Sequence, residues 1–231
     1  MFKDKIKDWY SIAGKGSSNS IKIDKNFKNH LIKPCSMIMM IAPTGGGKTT
    51  ALVDFLARKN DAFYRVIYFS GSTSDEPLLN LLQKSIEGIE IIDNADELPE
   101  LTDLNDEEKK HEKLIVFDDI INLPKKQLAK IQKWFNSSSK YGFTCVAMVQ
   151  NYTDCPIQMR RNTQYFVLFR LNDINTINQI LKNHNNGGSD KELVKKLYFE
   201  ATSQPKNFFM LDLTANSPYR FRHNFLDIME V

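Results

Sequence analysis

Residues 42–49 read Ala-Pro-Thr-Gly-Gly-Gly-Lys-Thr. The run departs from the phosphate-loop pattern G-x-x-x-x-G-K-[ST] only at its first position, where Ala42 stands for glycine. Its flanks suit that pattern. A continuous apolar run, MIMMI at 37–41, precedes it, and residues 48–59 come after it with Leu52, Phe55 and Leu56 at helical spacing. Each residue type has a physical task. Gly45, Gly46 and Gly47 let the backbone turn tightly and aim successive N–H groups at phosphate oxygens. The helix opening near Lys48 adds its positive end. Lys48 brings a point charge to the β- and γ-phosphates, and the Thr49 hydroxyl suits Mg²⁺. Pro43, Thr44 and Thr50 complete the expected cradle, so the expected ligands are ATP and Mg²⁺. A chance glycine turn before a helix competes with this reading, as does a loop that binds nucleotide without hydrolysing it.

The rest of the chain fits the same architecture. Strands are expected at 65–70, 89–92, 114–117, 143–149 and 165–171, and helices at 76–86, 124–137, 175–183 and 191–199. The two helices 175–183 and 191–199 are separated by Asn185-Asn186-Gly187-Gly188. A terminal hairpin is expected from 208–213 and 219–225 around residues 216–218. Alternating strands and helices predict an α/β fold with a mostly parallel sheet covered on both faces. Residues 1–33, mixing Gly, Ser, Asn and Lys towards their end, read as a loosely held arm, and 34–231 as one domain. The acidic stretch 93–113 reads as an exposed loop with a short helix near 106–111.

A second acidic site is expected at Asp118 and Asp119, which end the apolar run LIVF at 114–117. A strand ending beside a phosphate loop sets Asp118 to hold Mg²⁺ and Asp119 to polarise the attacking water as general base. The alternative is a buried strand ending in a capped turn. Gln150, at the end of the strand 143–149, is the candidate γ-phosphate sensor. Arg160 and Arg161 precede another apolar strand and are candidates to stabilise charge on a transferring phosphoryl group from a neighbouring subunit. Arg220 and Arg222 are weaker candidates for the same task. Lys126, Lys130 and Lys133 share one helix face, as a basic stripe or simply as a solvated side.

Composition excludes several classes. With 42% hydrophobic and 26% charged residues the chain has material for a core, so wholesale disorder is out. No apolar run approaches the length of a membrane helix, and the charged N-terminal residues lack the apolar centre of a signal peptide. The expected setting is soluble and intracellular, with no stable membrane insertion. Cys35, Cys145 and Cys155 have no C-x-x-C spacing, which argues against a disulfide framework or a zinc site. Net charge is only +3. Its distribution is uneven: eight Lys against three Asp in 1–34, nine acids against two Lys in 93–112, and eight basic residues against Asp154 in 120–170. That asymmetry is compatible with a polyanion on one face, and on charge alone the simpler reading is solvated surface.

Taken in order, APTGGGKT at 42–49, LIVFDD at 114–119, the strand ending in Gln150, PIQMRRN before YFVLF, and NFFMLDL at 207–213 resemble the genome-packaging ATPases of the FtsK–HerA superfamily. The branch is the one shared by poxviruses, other large DNA viruses and virophages. The resemblance implies a RecA-like P-loop NTPase core that works as a homo-oligomeric ring and drives double-stranded DNA, without sequence preference, into a preformed capsid. It also implies a capsid vertex or portal-like partner, and residence in the host cytoplasm or virion. By position it implies roles for Lys48, Thr49, Asp118, Asp119 and Gln150, with Arg161 ahead of Arg160 as the arginine acting in trans. Ala42 and Asp119 depart from the commonest pattern. A helicase, a small-molecule kinase and a nucleotide-gated assembly module without turnover are the alternatives. A helicase of that type needs a second RecA-like domain, for which 231 residues leave no room.

Overall fold

The computed structural model describes residues 21–60, 62–71, 77–86, 88–104, 108–184, 189–216 and 218–230. Five expectations fall partly or wholly outside them: the arm at 1–20, residue 76 of the second helix, residues 106 and 107 of the short helix, the 185–188 turn, and Ser217 of the hairpin.

The strands are β1 (Met37–Ile41), β2 (Val66–Ser70), β3 (Glu90–Ile92), β4 (Lys113–Asp118), β5 (Phe143–Val149), β6 (Tyr165–Leu168), β7 (Phe209–Asp212), β8 (Phe221–His223) and β9 (Asp227–Ile228). The helices are α1 (Lys48–Lys59), α2 (Pro77–Ser85), α3 (Lys125–Ser137), α4 (Ile157–Asn162), α5 (Ile174–His184) and α6 (Lys191–Ala201). The strands build one nine-stranded sheet of order β3-β2-β4-β5-β1-β6-β7-β8-β9. The six strands from β3 to β6 are parallel, and β7, β8 and β9 add an antiparallel edge.

The continuous apolar strands are explained by this layout. A strand buried on both faces cannot alternate with polar residues. Ile38 and Met40 pack with Leu52 and Phe55 of α1 on one face, and Met39 and Ile41 with Ile131, Trp134 and Ile177 on the other. Burying side chains such as Leu52 and Phe55 contributes roughly 1.5–3 kcal/mol each. Because β1, β4 and β5 are parallel, the turns at their ends leave from the same edge of the sheet, where open α/β folds bind ligands.

Several elements differ from expectation. Residues 21–33 are not loose: His30 and Ile32 are fully buried, and Asp24 reaches the buried Lys59 ammonium at 2.8 Å. The PIQMRRN segment forms α4. The acidic stretch forms three short 3-10 turns, Ala95–Glu97, Leu101–Asp103 and Glu108–Lys110. Its acids and carbonyls also border the lysine stripe of α3. Lys130 donates to the carbonyls of Asp96 and Leu98, Lys133 lies 3.2 Å from Glu100, and Lys126 lies 3.9 Å from Asp96. The hydrogen bond from Lys133 holds the Glu100 carboxyl below its usual range. Lys126 and Lys133 are nonetheless exposed, so the stripe is a solvated helix face with acids of its own chain along one border. Among the described residues, no helix is long and apolar enough to cross a membrane.

Candidate nucleotide-binding site

The turn between β1 and α1 is held in one shape. Gly45 and Gly47 have φ of 72° and 109°, a left-handed backbone that glycine adopts without a steric cost. Gly46 is constrained differently: a Cβ there would lie 2.8 Å from the Ala42 Cβ and 2.9 Å from the Pro43 carbonyl oxygen. Ala42 thus occupies space that Gly46 vacates, which is how the loop accommodates alanine at its first position. The Gly46 N–H closes the turn on the Pro43 carbonyl at 2.9 Å. Lys48 lies back across the loop, its Nζ 2.9 Å from the Ala42 carbonyl and 3.5 Å from that of Pro43. Beside the turn lies a cavity of about 210 Å³ lined by Gly45, Gly46, Gly47, Lys48, Thr49, Thr50 and Lys206.

Asp118 closes β4 and Asp119 follows it. Leu114 and Val116 face α1, so the alternation of the strand turns Asp118 towards the same side as Thr49 in the first turn of α1. The hydroxyl of the buried Tyr68 donates to Asp118 Oδ2 at 2.7 Å and fixes that carboxylate. Asp119 has φ of 50°, a left-handed backbone that aspartate adopts more readily than most residues with a side chain. That conformation is held from β2: the Gly71 N–H donates to the Asp118 carbonyl at 2.8 Å, and a Cβ on Gly71 would sit 2.1 Å from the Asp119 carbonyl oxygen.

Gln150 comes directly after β5, and β5 runs between the acidic strand β4 and the phosphate-loop strand β1. Gln150 lines a second cavity, about 380 Å³, with Pro43, Thr44, Asn151, Leu171, Asn172, Asp173 and Thr176. The phosphate loop, both carboxylates and Gln150 thus share one edge of the sheet.

The arginines lie elsewhere. The residues after α4 return to the start of β1, where Gln164 N–H donates to the Met37 carbonyl at 2.8 Å. Arg160 and Arg161, at the end of α4, are therefore at the edge of the sheet opposite to their own phosphate loop. Arg161 is exposed. Arg160 is folded over the Tyr152 ring, its guanidinium carbon 4.7 Å from the ring centre. The two weaker arginine candidates do not suit a role in a neighbouring site. Arg222 is buried against Asp212 at 3.3 Å, and Arg220 donates to the His184 carbonyl.

Three contributors escape a reading of the sequence: Tyr68, Gly71 and Lys206. Tyr68 reads as a core aromatic, and Gly71 as an ordinary strand end. Lys206 carries no local signature at all. The cysteines play no part here. All three are free thiols, and burial pushes each up to about 12, so they remain protonated near neutrality.

The donor set fits Mg²⁺. That ion keeps several waters and takes one or two protein oxygens beside substrate phosphates. Thr49 and Asp118, on one side of the sheet, offer one hydroxyl and one carboxylate.

The sequence profile of the AAA domain family matches residues 31–153. The chain belongs to that family. It is a P-loop NTPase, and its match spans the phosphate loop, the acidic strand end and Gln150. No curated protein matches the sequence. Among solved structures, this AAA domain is similar to the genome packaging NTPase B204 from Sulfolobus turreted icosahedral virus 2, in complex with sulfate. The TM-score is 0.59 at 12% identity, over 87% of this chain and 100% of that one. The same viral NTPase in complex with ATP-gammaS gives a TM-score of 0.55 at 12% identity, over 84% and 98% of the two chains. B204 from Sulfolobus turreted icosahedral virus, described as a DNA-packaging ATPase, gives 0.57 at 11% identity, over 84% and 99%. At such identities the likeness concerns the fold.

Proposed function

We propose that this P-loop NTPase is an ATP-hydrolysing motor subunit that moves double-stranded DNA into a viral capsid as part of a ring. One observation carries the proposal. The phosphate loop, Asp118, Asp119 and Gln150 converge at one edge of the sheet, while the exposed Arg161 stands at the other, out of reach of its own site. This arrangement supports a site completed by a second copy. The likeness to packaging NTPases supports the choice of cargo.

In this reading ATP lies along the turn at 42–50. Lys48 exchanges its carbonyl partners for β- and γ-phosphate oxygens. Thr49 and Asp118 hold Mg²⁺, which would neutralise charge on the phosphates. Asp119 accepts a proton from the attacking water, and Arg161 of a neighbour stabilises charge on the transferring group. Gln150, set between carboxylates and loop, responds to loss of the γ-phosphate. DNA contacts are to phosphates, so binding is sequence-independent and weakens with salt.

The test is an ATPase assay with and without double-stranded DNA over a range of protein concentration. DNA is expected to stimulate turnover, and specific activity to rise with concentration. Lys48→Ala should abolish turnover. Arg161→Ala should abolish it while nucleotide still binds. Turnover indifferent to DNA overturns the motor. Assembly that proceeds with no turnover in the wild type supports an assembly module instead.

A further inference from the structure

The strongest unassigned feature is Lys206. It sits in the turn before β7, exposed, and it lines the phosphate-loop cavity together with residues 45–50. Its φ is 67°, a left-handed backbone that a long side chain adopts at a cost. Strain of this kind persists where surrounding structure imposes it, and it clusters at functional sites. The surroundings here are specific. The Asn207 N–H closes the turn on the Gln204 carbonyl. Asn224 then clamps Asn207 and Phe208: its N–H donates to the Phe208 carbonyl, its Oδ1 accepts from the Phe208 N–H, and its Nδ2 donates to Asn207 Oδ1. The turn meets the phosphate loop closely. A Cβ on Gly47 would lie 3.3 Å from the Lys206 Cα and 3.1 Å from the Phe169 ring.

The sheet order tells which part of a nucleotide Lys206 meets. Asp118, Asp119 and Gln150 belong to β4 and β5 and the turns at their ends, on one side of β1, whereas Lys206 comes from the β6–β7 side. A metal-binding carboxylate marks the β,γ end of the triphosphate. The α-phosphate end therefore runs towards β6 and β7. We infer that Lys206 is a second phosphate-binding cation of the same subunit, contacting the α- and β-phosphates of a bound nucleoside di- or triphosphate. This rests on the nucleotide-binding reading of the loop. It makes affinity for ADP depend on Lys206 as much as affinity for ATP does, unlike the groups on the β4–β5 side, which meet the γ end.

The test separates backbone from charge. Lys206→Gly removes the ammonium and relaxes the left-handed turn, and Lys206→Asn removes the charge with a residue that tolerates that conformation. Calorimetric titration of the full chain with ATP and with ADP, each with Mg²⁺, is expected to show Kd raised roughly tenfold for both nucleotides in both variants. Lys206→Arg should bind nearly as the wild type does. Thermal unfolding of Lys206→Gly should match or exceed the wild type. Unchanged Kd in a folded Lys206→Gly or Lys206→Asn overturns the inference, as does loss confined to ATP, which would put Lys206 at the γ-phosphate. Failure of the underlying reading looks different: the wild type then binds neither nucleotide, or binds both as Lys48→Ala does, and the inference falls with it.

Discussion

Gly71→Ala tests whether the acidic turn is positioned by the strand beside it. An alanine Cβ would lie 2.1 Å from the Asp119 carbonyl oxygen and 2.9 Å from its carbonyl carbon. Ordinary contact begins near 3.4 Å, so backbone on one side must give by about 1.3 Å. Neither neighbour is the end of a flexible side chain. Overpacking of this kind costs about 1–3 kcal/mol, and at 2–4 °C per kcal/mol for a chain of this size the melting temperature should fall by roughly 2–12 °C. The functional effect should be larger. A catalytic group displaced by about 1 Å can lose about a hundredfold in rate, and Asp119 and the Tyr68-bound Asp118 move with this turn. Nucleotide affinity should change far less, because the phosphate loop hangs on β1, two strands away from β4 across β5. Single-turnover ATP hydrolysis, ADP titration and thermal unfolding on one preparation read all three quantities. An alanine variant with wild-type turnover and melting temperature would refute the claim that β2 holds the acidic turn in place.

Two further predictions concern the scaffold. The Lys59 ammonium is buried 2.8 Å from both Asp24 and Glu112, and Glu112 also accepts a hydrogen bond from the Thr144 hydroxyl at 2.6 Å. Lys59→Met strands two carboxylates and should cost about 3–5 kcal/mol in urea unfolding; a loss below about 1 kcal/mol would show that water already reaches the cluster. Burial lowers both His30 and His184 to about 4, the nearby Lys59 and Arg160 respectively adding to the shift. Between the unfolded value near 6.5 and about 4 the unfolded chain binds more protons than the folded one, so stability should fall as pH drops through that window and level off below it. Urea midpoints that stay flat from pH 7 to 5, or imidazole resonances titrating near 6.5, would contradict this.

How legible each feature is in the sequence depends on how local its signal is. The phosphate loop and the strand ends at Asp118 and Gln150 are written in consecutive residues, and a parallel sheet converts them into neighbours without further information. The terminal hairpin is legible for the same reason. Lys206 is not, because its place depends on β7 returning antiparallel to β6, which no nearby residue announces. The stripe of Lys126, Lys130 and Lys133 is legible as a solvated face, though not in its neighbours. Helical spacing gives the face, but only tertiary structure says that Asp96 and Glu100 border it. Residues 21–33 read as loose because their composition is polar. Asp24, Asn26 and His30 are instead committed to partners on α1 or within their own turn.

The two left-handed residues of the site share one construction. Asp119 and Lys206 both hold left-handed backbones, on opposite sides of the strand that carries the phosphate loop. Each is clamped from a separate element: Asp119 by Gly71 at the end of β2, Lys206 by Asn224 after β8. Neither clamp is part of the phosphate loop, so the backbones that carry the two charges are set by the fold. A side chain carried on a stiff backbone leaves only its own rotamers to be ordered on meeting a phosphate or a water, whereas a lysine or aspartate on a relaxed loop would have its backbone ordered as well at the expense of binding. The backbone strain is thus a standing cost in fold stability that is exchanged for a smaller cost at each binding event.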